Sequence, residues 1–133
     1  MNLKQTVTII LVTVAIAGTI FLKKSQQTAH DPLPVHTPGI PRLLDLGSKG
    51  CTACTMLEPV LEELRENYAE KLQVDFIDVW EHEQIATDYG IEIIPVQIFF
   101  DAEGRELYRH QGFISAADIL AQFKKLGLDF NDN

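Results

Sequence analysis

Leu43-Leu44-Asp45-Leu46-Gly47-Ser48-Lys49-Gly50-Cys51-Thr52-Ala53-Cys54 contains the only two cysteines of a 133-residue chain, and two residues separate them. A short apolar segment, Leu43–Leu46, runs into the loop Gly47–Gly50. Beyond the cysteines, Met56, Leu57, Val60, Leu61, Leu64 and Tyr68 recur at the i, i+3/i+4 spacing of an amphipathic helix. A strand, a tight turn and a helix in that order set Cys51 at a helix N-terminus. Unpaired N–H groups and the helix dipole there favour a thiolate over a thiol. Thiolate is the nucleophile of thiol–disulfide exchange, so Cys51 is the expected nucleophile. Cys54, one helical turn on, is placed to attack a mixed disulfide on Cys51 and release the product.

A Cys-X-X-Cys pair taken alone also fits half a zinc site, a static structural disulfide or chance. Zinc requires two further ligands. The remaining candidates, His30, His36, His82 and His110, are scattered with none at ligand spacing from another, so no metal is expected. A soft ion such as Cu(I) could use the same two thiols and recruit His110 or His82. That binding module and the static disulfide stay open as alternatives to redox chemistry.

On the N-terminal side, Thr6–Leu22 (TVTIILVTVAIAGTIFL) carries no charge and is dominated by aliphatic and β-branched residues. Its length lies at the short end of the range that spans a bilayer core. Residues 1–24 therefore read as a membrane anchor. The small-x-small stretch Ala15-Ile16-Ala17 keeps a cleaved signal peptide as the alternative. Lys23 and Lys24 are balanced by Lys4 and the N-terminal amine, so charge leaves the orientation open. A disulfide-exchange motif belongs on the oxidising side, which places the expected domain on the extracytoplasmic (periplasmic) face of the cytoplasmic membrane, or secreted if the leader is cleaved. Residues 25–41, with Pro32, Pro34, Pro38 and Pro41, read as an extended spacer, and residues 42–133 as the domain. Eighteen of the nineteen acidic residues and eight of the eleven basic ones follow Ile40. A basic footprint is absent, which argues against nucleic acid as a partner.

Within the domain, Arg42–Leu46 reads as a strand and Cys51–Glu70 as one long helix kinked at Pro59. Leu72–Val79 is an interior strand, and Glu81–Tyr89 a short helix closed by Gly90. Val96–Phe100 and Glu106–His110 flank a hairpin turn at Asp101–Gly104. Ser115 and Asp118 cap a final helix that Gly127 stops. The order is β-α-β-α-β-β-α, an α/β fold with a mixed sheet and helices on both faces.

Five features stand in register with these elements. Cys-X-X-Cys opens the first helix, Pro59 lies eight residues after Cys51, and Asp45 lies six before it. Ile94-Pro95 precedes the hairpin, and Gly112 follows it. Over Arg42–Leu126 the chain thus resembles the thioredoxin family, in particular its small membrane-tethered extracytoplasmic members. Members with a Gly-Ser loop before the cysteines often partner membrane electron transporters. The resemblance implies a thioredoxin fold and a thiol–disulfide oxidoreductase with no cofactor beyond a redox-active Cys51–Cys54 disulfide. Its partners would be protein thiols and disulfides, with a membrane electron transporter as donor, and a monomer is expected. The resemblance implies that Asp45 accepts the Cys54 proton, a carboxylate desolvated beside Phe76 having a raised pKa. The alternative is a strand-end aspartate bonding the Gly47–Gly50 loop. The resemblance also implies a cis Pro95, with the Ile94 backbone beside the cysteines to pair with a substrate strand, against an ordinary trans proline. Gly50 stands where the family usually has tryptophan, which alters the substrate surface. Thr52-Ala53 lies between the cysteines, and Phe76 occupies the place of a frequent lysine. Trp80 is expected to be a packing residue at a strand end rather than a substitute for the missing tryptophan. The expected direction is reduction of protein disulfides, with a thiol oxidase or isomerase of the same fold as the alternative.

Overall fold

The computed structural model describes residues 33–130, together with Asn2 and Gln5. The expected membrane segment Thr6–Leu22, and the spacer as far as Pro32, lie outside the described residues. Among the described residues no helix is long and apolar enough to cross a membrane.

Among residues 33–130 eight elements follow one another: β1 (Arg42–Gly47), α1 (Thr52–Thr55), α2 (Glu58–Tyr68), β2 (Gln73–Asp78), α3 (Glu83–Asp88), β3 (Val96–Phe100), β4 (Glu106–Gln111) and α4 (Ala116–Lys125). The strands form one sheet in the order β2-β1-β3-β4. β1 runs parallel to β2 and antiparallel to β3, and β4 runs antiparallel to β3. This is the expected mixed sheet, except that β2, expected in the interior, lies at its edge. The apolar runs Leu43–Leu46 and Val96–Phe100 take the two central positions, where every residue is buried.

Alternation along these strands sorts the core into two layers. Leu43, Val74 and Phe99 face α2 and α4, and meet Leu57, Leu61, Leu64, Ile119 and Phe123. Leu44, Leu46, Ile77, Val96 and Ile98 point the other way, where Ile85 and Ala86 of α3 and Tyr89 just after it cover them. Asp45 and Gln97 face each other across β1 and β3, polar side chains buried among apolar ones.

The single long helix expected over Cys51–Glu70 is two helices. Pro59 has no N–H, and its ring would strike the carbonyl four residues back, so it cannot continue α1. It sits instead in the first turn of α2, where its missing donor costs nothing. Elsewhere the stop signals act as read. Gly90 and Gly127 adopt φ 63° and 89°, and behind each the chain closes its helix with a pair of bonds. These are Gly90 N to Thr87 O with Ile91 N to Ala86 O, and Gly127 N to Lys124 O with Leu128 N to Phe123 O. Ser115 Oγ accepts from Asp118 N at 3.2 Å and caps α4.

The spacer reading fails for its C-terminal half. Gln73 Nε2 donates to Val35 O at 2.8 Å, and Thr37 N donates to Gln73 Oε1 at 2.7 Å. Arg42, itself ion-paired with Asp75 at 2.6 Å, donates to Pro34 O. Gly39 N donates to Ala102 O at 2.9 Å. Proline removes helix and strand as options but leaves carbonyls free to be captured by side chains, and here they are.

The Phe123 ring meets those of Phe99 and Phe130, with centroids 4.7 and 5.2 Å apart, and so docks α4 on the sheet. Phe123→Ala is expected to cost about 3–5 kcal/mol, the range for emptying a fully buried aromatic site, read from the urea midpoint at unchanged slope. A loss under about 1 kcal/mol would show that α4 contributes little to the fold.

Candidate active site

β1 delivers the chain to the cysteines. The β1–β2 ladder ends with Val79 N donating to Gly47 O at 2.9 Å, after which Cys51 N closes a turn on Ser48 O at 3.1 Å. Cys51 is the N-cap of α1 in extended conformation, and its Sγ accepts from Cys54 N at 3.3 Å. The sulfur thus occupies the capping position, where an N–H that would otherwise lack a partner can hold negative charge. Cys51 is partly exposed, Cys54 is buried, and both are free thiols.

Cys54 lies against the backbone where β1 ends. A Cβ added at Gly47 would stand 3.1 Å from Cys54 Sγ and 3.2 Å from the Phe76 ring. Glycine at 47 lets the sulfur and the ring close over the strand. Burial, followed by the hydrogen bond with Cys51, pushes the Cys54 thiol up to about 12, and the Asp45 charge adds to the rise. The two thiols therefore divide the labour by position, one open and capped by an N–H, the other closed and holding its proton.

Asp45 lies two residues before Gly47 on the same face of β1, opposite Phe76 in the β1–β2 register. It is fully buried. Gln97 Nε2 donates to its Oδ1 at 2.7 Å, while Oδ2 has no partner. Burial raises its pKa from 3.8 to about 6, against the opposing pulls of the Gln97 amide and the Arg65 charge. The alternative role, bonding the Gly47–Gly50 loop, belongs to another residue.

That residue is Asp78, at the end of β2. Its Oδ2 accepts from Lys49 N at 2.9 Å and from Ser48 Oγ at 3.3 Å, and its Oδ1 accepts from Trp80 N at 2.9 Å. Burial alone would raise its pKa, but the N–H groups of Lys49, Trp80 and Glu81 and the Ser48 hydroxyl outweigh it and hold the carboxyl below the usual range.

Ile94-Pro95 is a cis peptide. β3 begins at Val96, the register partner of Leu46, so Pro95 stands at the sheet end from which the cysteine loop departs. Pro95 O accepts from Gly112 N at 2.9 Å, while Ile94 packs on the α3 side of the core. Trp80 does not meet its expectation as a packing residue. It is 63 % exposed, and a Cβ at Gly50 would lie 2.7 Å from its ring, so the indole rests on the loop ahead of Cys51. On the other side a cleft of about 500 Å³ reaches Cys54 past Lys49, Pro59, Arg65 and Phe76. Among the described residues, no group of three or more His, Cys, Asp or Glu side chains could hold a metal ion.

Comparison with known proteins brings the same pattern from outside. The family model described as Thioredoxin matches residues 22–125. A thioredoxin-like protein of Synechocystis is 29% identical over 104 residues, covering 78% of this chain and 91% of that one. Thioredoxin of Alicyclobacillus acidocaldarius is 34% identical over 62% of this chain and 77% of its own length. Chloroplastic thioredoxin Y of Oryza sativa is 32% identical over 63% of this chain but only 49% of itself. Among solved structures, thioredoxin-2 of the malaria parasite, described as a component of its protein secretion machinery, superposes with a TM-score of 0.63. It is 25% identical, and the match covers 69% of this chain and 88% of that one.

The Asp45 environment has a consequence for stability. Below about pH 4 the carboxyl is protonated whether the chain is folded or not. Between there and about pH 6 the folded protein keeps a proton that the unfolded chain has lost, so stability falls as pH rises and levels off above. The full effect is about 3 kcal/mol. Asp45→Asn lacks this titration. In urea unfolding of the reduced protein, its advantage over the wild type should therefore grow from pH 4 to 7 and then stay constant. Parallel profiles for the two proteins would mean Asp45 is not desolvated.

Proposed function

The chain belongs to the thioredoxin family, and from that premise we propose that it is a thiol–disulfide oxidoreductase working as a reductant of protein disulfides. The observation that carries the reading is the asymmetry of the pair: Cys51 open at an N-cap, Cys54 buried, holding its proton and feeling the charge of Asp45.

Cys51 Sγ, as thiolate, attacks one sulfur of a substrate disulfide. The substrate S–S bond breaks, a mixed disulfide forms on Cys51, and the displaced sulfur leaves as a thiolate that takes a proton from water. Cys54 then gives its proton to Asp45, and its sulfur attacks Cys51 Sγ. The Cys51–Cys54 disulfide forms as the second substrate thiolate departs. Two electrons pass from the dithiol to the substrate, and no cofactor beyond this pair takes part. Gly50 and the Ile94-Pro95 backbone border the place where a substrate strand would lie.

The finer parts of the reading rest on the sequence. Thr6–Leu22 would hold the domain at the extracytoplasmic face of the cytoplasmic membrane, or serve as a leader for a secreted form. A membrane electron transporter would return the electrons, and the chain would act as a monomer. The absence of histidine between the cysteines favours a reductant, since an imidazolium there would stabilise the thiolate form and make the protein oxidising.

The reduction potential, read by equilibration against a glutathione series, is expected near −270 mV. A value above about −180 mV would make the protein an oxidase or isomerase. Cys51→Ala should abolish reduction of a model protein disulfide, while Cys54→Ala should accumulate the mixed disulfide. Asp45→Asn should slow release of that intermediate at pH 7 on the order of 10²-fold, as loss of a positioned base does. Unchanged release would remove Asp45 from the mechanism.

A further inference from the structure

Four segments leave the sheet at the end that carries Cys51: those after β1, β2 and β4, and the one before β3. Each presents an exposed apolar side chain, respectively Met56, Trp80, Phe113 and Ile93. Trp80 is the largest and the one tied to the cysteine loop. A Cβ built on Gly50 meets its Cζ3 at 2.7 Å and its Cε3 at 3.4 Å, so the benzo edge of the indole lies on the Gly50 backbone. Its backbone is fixed too. Trp80 N donates to one oxygen of Asp78 while Lys49 N donates to the other. The Trp80 backbone and the loop ahead of Cys51 are therefore held by a single carboxylate, and most of the ring stays in water.

Gly50 and Trp80 read as one unit. A side chain at 50 would displace the ring, so glycine is what allows the indole to lie there. The ring then offers an apolar surface immediately before the nucleophile, supplied from the end of β2 rather than from position 50. Leaving a tryptophan exposed at that point forgoes burial worth more than that of any smaller side chain. A partner that covers it recovers that burial.

We infer that Trp80 is a specificity-determining residue: its exposed face packs on an apolar side chain next to the disulfide cysteine of an extended protein substrate, and so selects protein disulfides over small ones. The inference rests on the oxidoreductase reading above and adds the feature of the substrate that is recognised. Small disulfides have no neighbouring side chain to reach the ring.

The test uses the full chain against a model protein disulfide and a small one, hydroxyethyl disulfide. Trp80→Ala should raise KM for the protein substrate and lower the ratio of the two kcat/KM values about fivefold or more, the worth of one aromatic contact. Trp80→Phe should restore part of the ratio. Gly50→Ala should produce a similar loss alone and little further loss in the Trp80→Ala background. Trp80 is the only tryptophan of the chain, so its emission should shift to the blue when Cys54→Ala is trapped as a mixed disulfide with the protein substrate. An unchanged ratio in Trp80→Ala, or a Gly50→Ala loss that is the same in both backgrounds, overturns the inference while leaving the oxidoreductase reading intact. Failure to reduce either disulfide removes that reading and the inference with it.

Discussion

One carboxylate, that of Asp78, carries the connection between sheet and active site. β1 is buried on both faces and must end in a loop that turns the chain into a helix beginning at Cys51. A loop of Gly47, Ser48, Lys49 and Gly50 has no apolar side chain with which to anchor itself. Its position comes from hydrogen bonds, and Asp78 receives two of them through Lys49 N and the Ser48 hydroxyl. The parallel pairing of β1 with β2 makes this possible, because it brings the ends of both strands to the same edge, Gly47 opposite Asp78. An antiparallel pair would have put the end of β2 at the far pole.

Asp78 ends β2 while Asp45 lies within the neighbouring β1, and their pKa values shift in opposite directions, which separates the forces involved. Both lose hydration. Asp78 gains three backbone N–H donors and a hydroxyl, each favouring the charged form, and their sum exceeds the desolvation cost. Asp45 gains one neutral amide from Gln97 and a distant charge from Arg65, and the desolvation wins. The same side chain therefore favours its charged form in one place and its protonated form in the other. The number of donors, not the depth of burial alone, decides which.

Much of this was legible in the sequence, for definite reasons. The central strands, the capped last helix, the two glycine stops and the cysteine pair each depend on residues within a few positions of one another, and local chemistry fixed them. Pro59 marks a break but not its kind: a proline can kink a helix or begin a new one, and the choice depends on whether the preceding turn has somewhere else to go. Asp78 and Trp80 were not legible as site residues because their partners, Lys49 and Gly50, lie about thirty positions earlier. Only the strand pairing brings them together. Gln97 did leave a trace, as the one polar residue in Val96–Phe100, and a polar side chain inside a wholly apolar strand asks for a buried partner. Asp45, across the β1–β3 register, is that partner.

The same reasoning moves the edge of the domain. Composition placed it at Arg42, because prolines end regular structure, yet the compact unit begins at Leu33. Residues 34–39 form neither helix nor strand, but they donate to or accept from Gln73, Arg42 and Ala102. These partners gather at the start of β1 and β2 and at the β3–β4 turn, which is the pole of the sheet away from Cys51. The segment is tied to the Gln73 side chain at the start of β2, to Arg42 at the start of β1 and to the β3–β4 turn. A stretch without secondary structure can still belong to the fold when its carbonyls and amides are satisfied by the domain rather than by water. Here the entering chain does so at the far pole, which leaves the face around Cys51 open to a substrate.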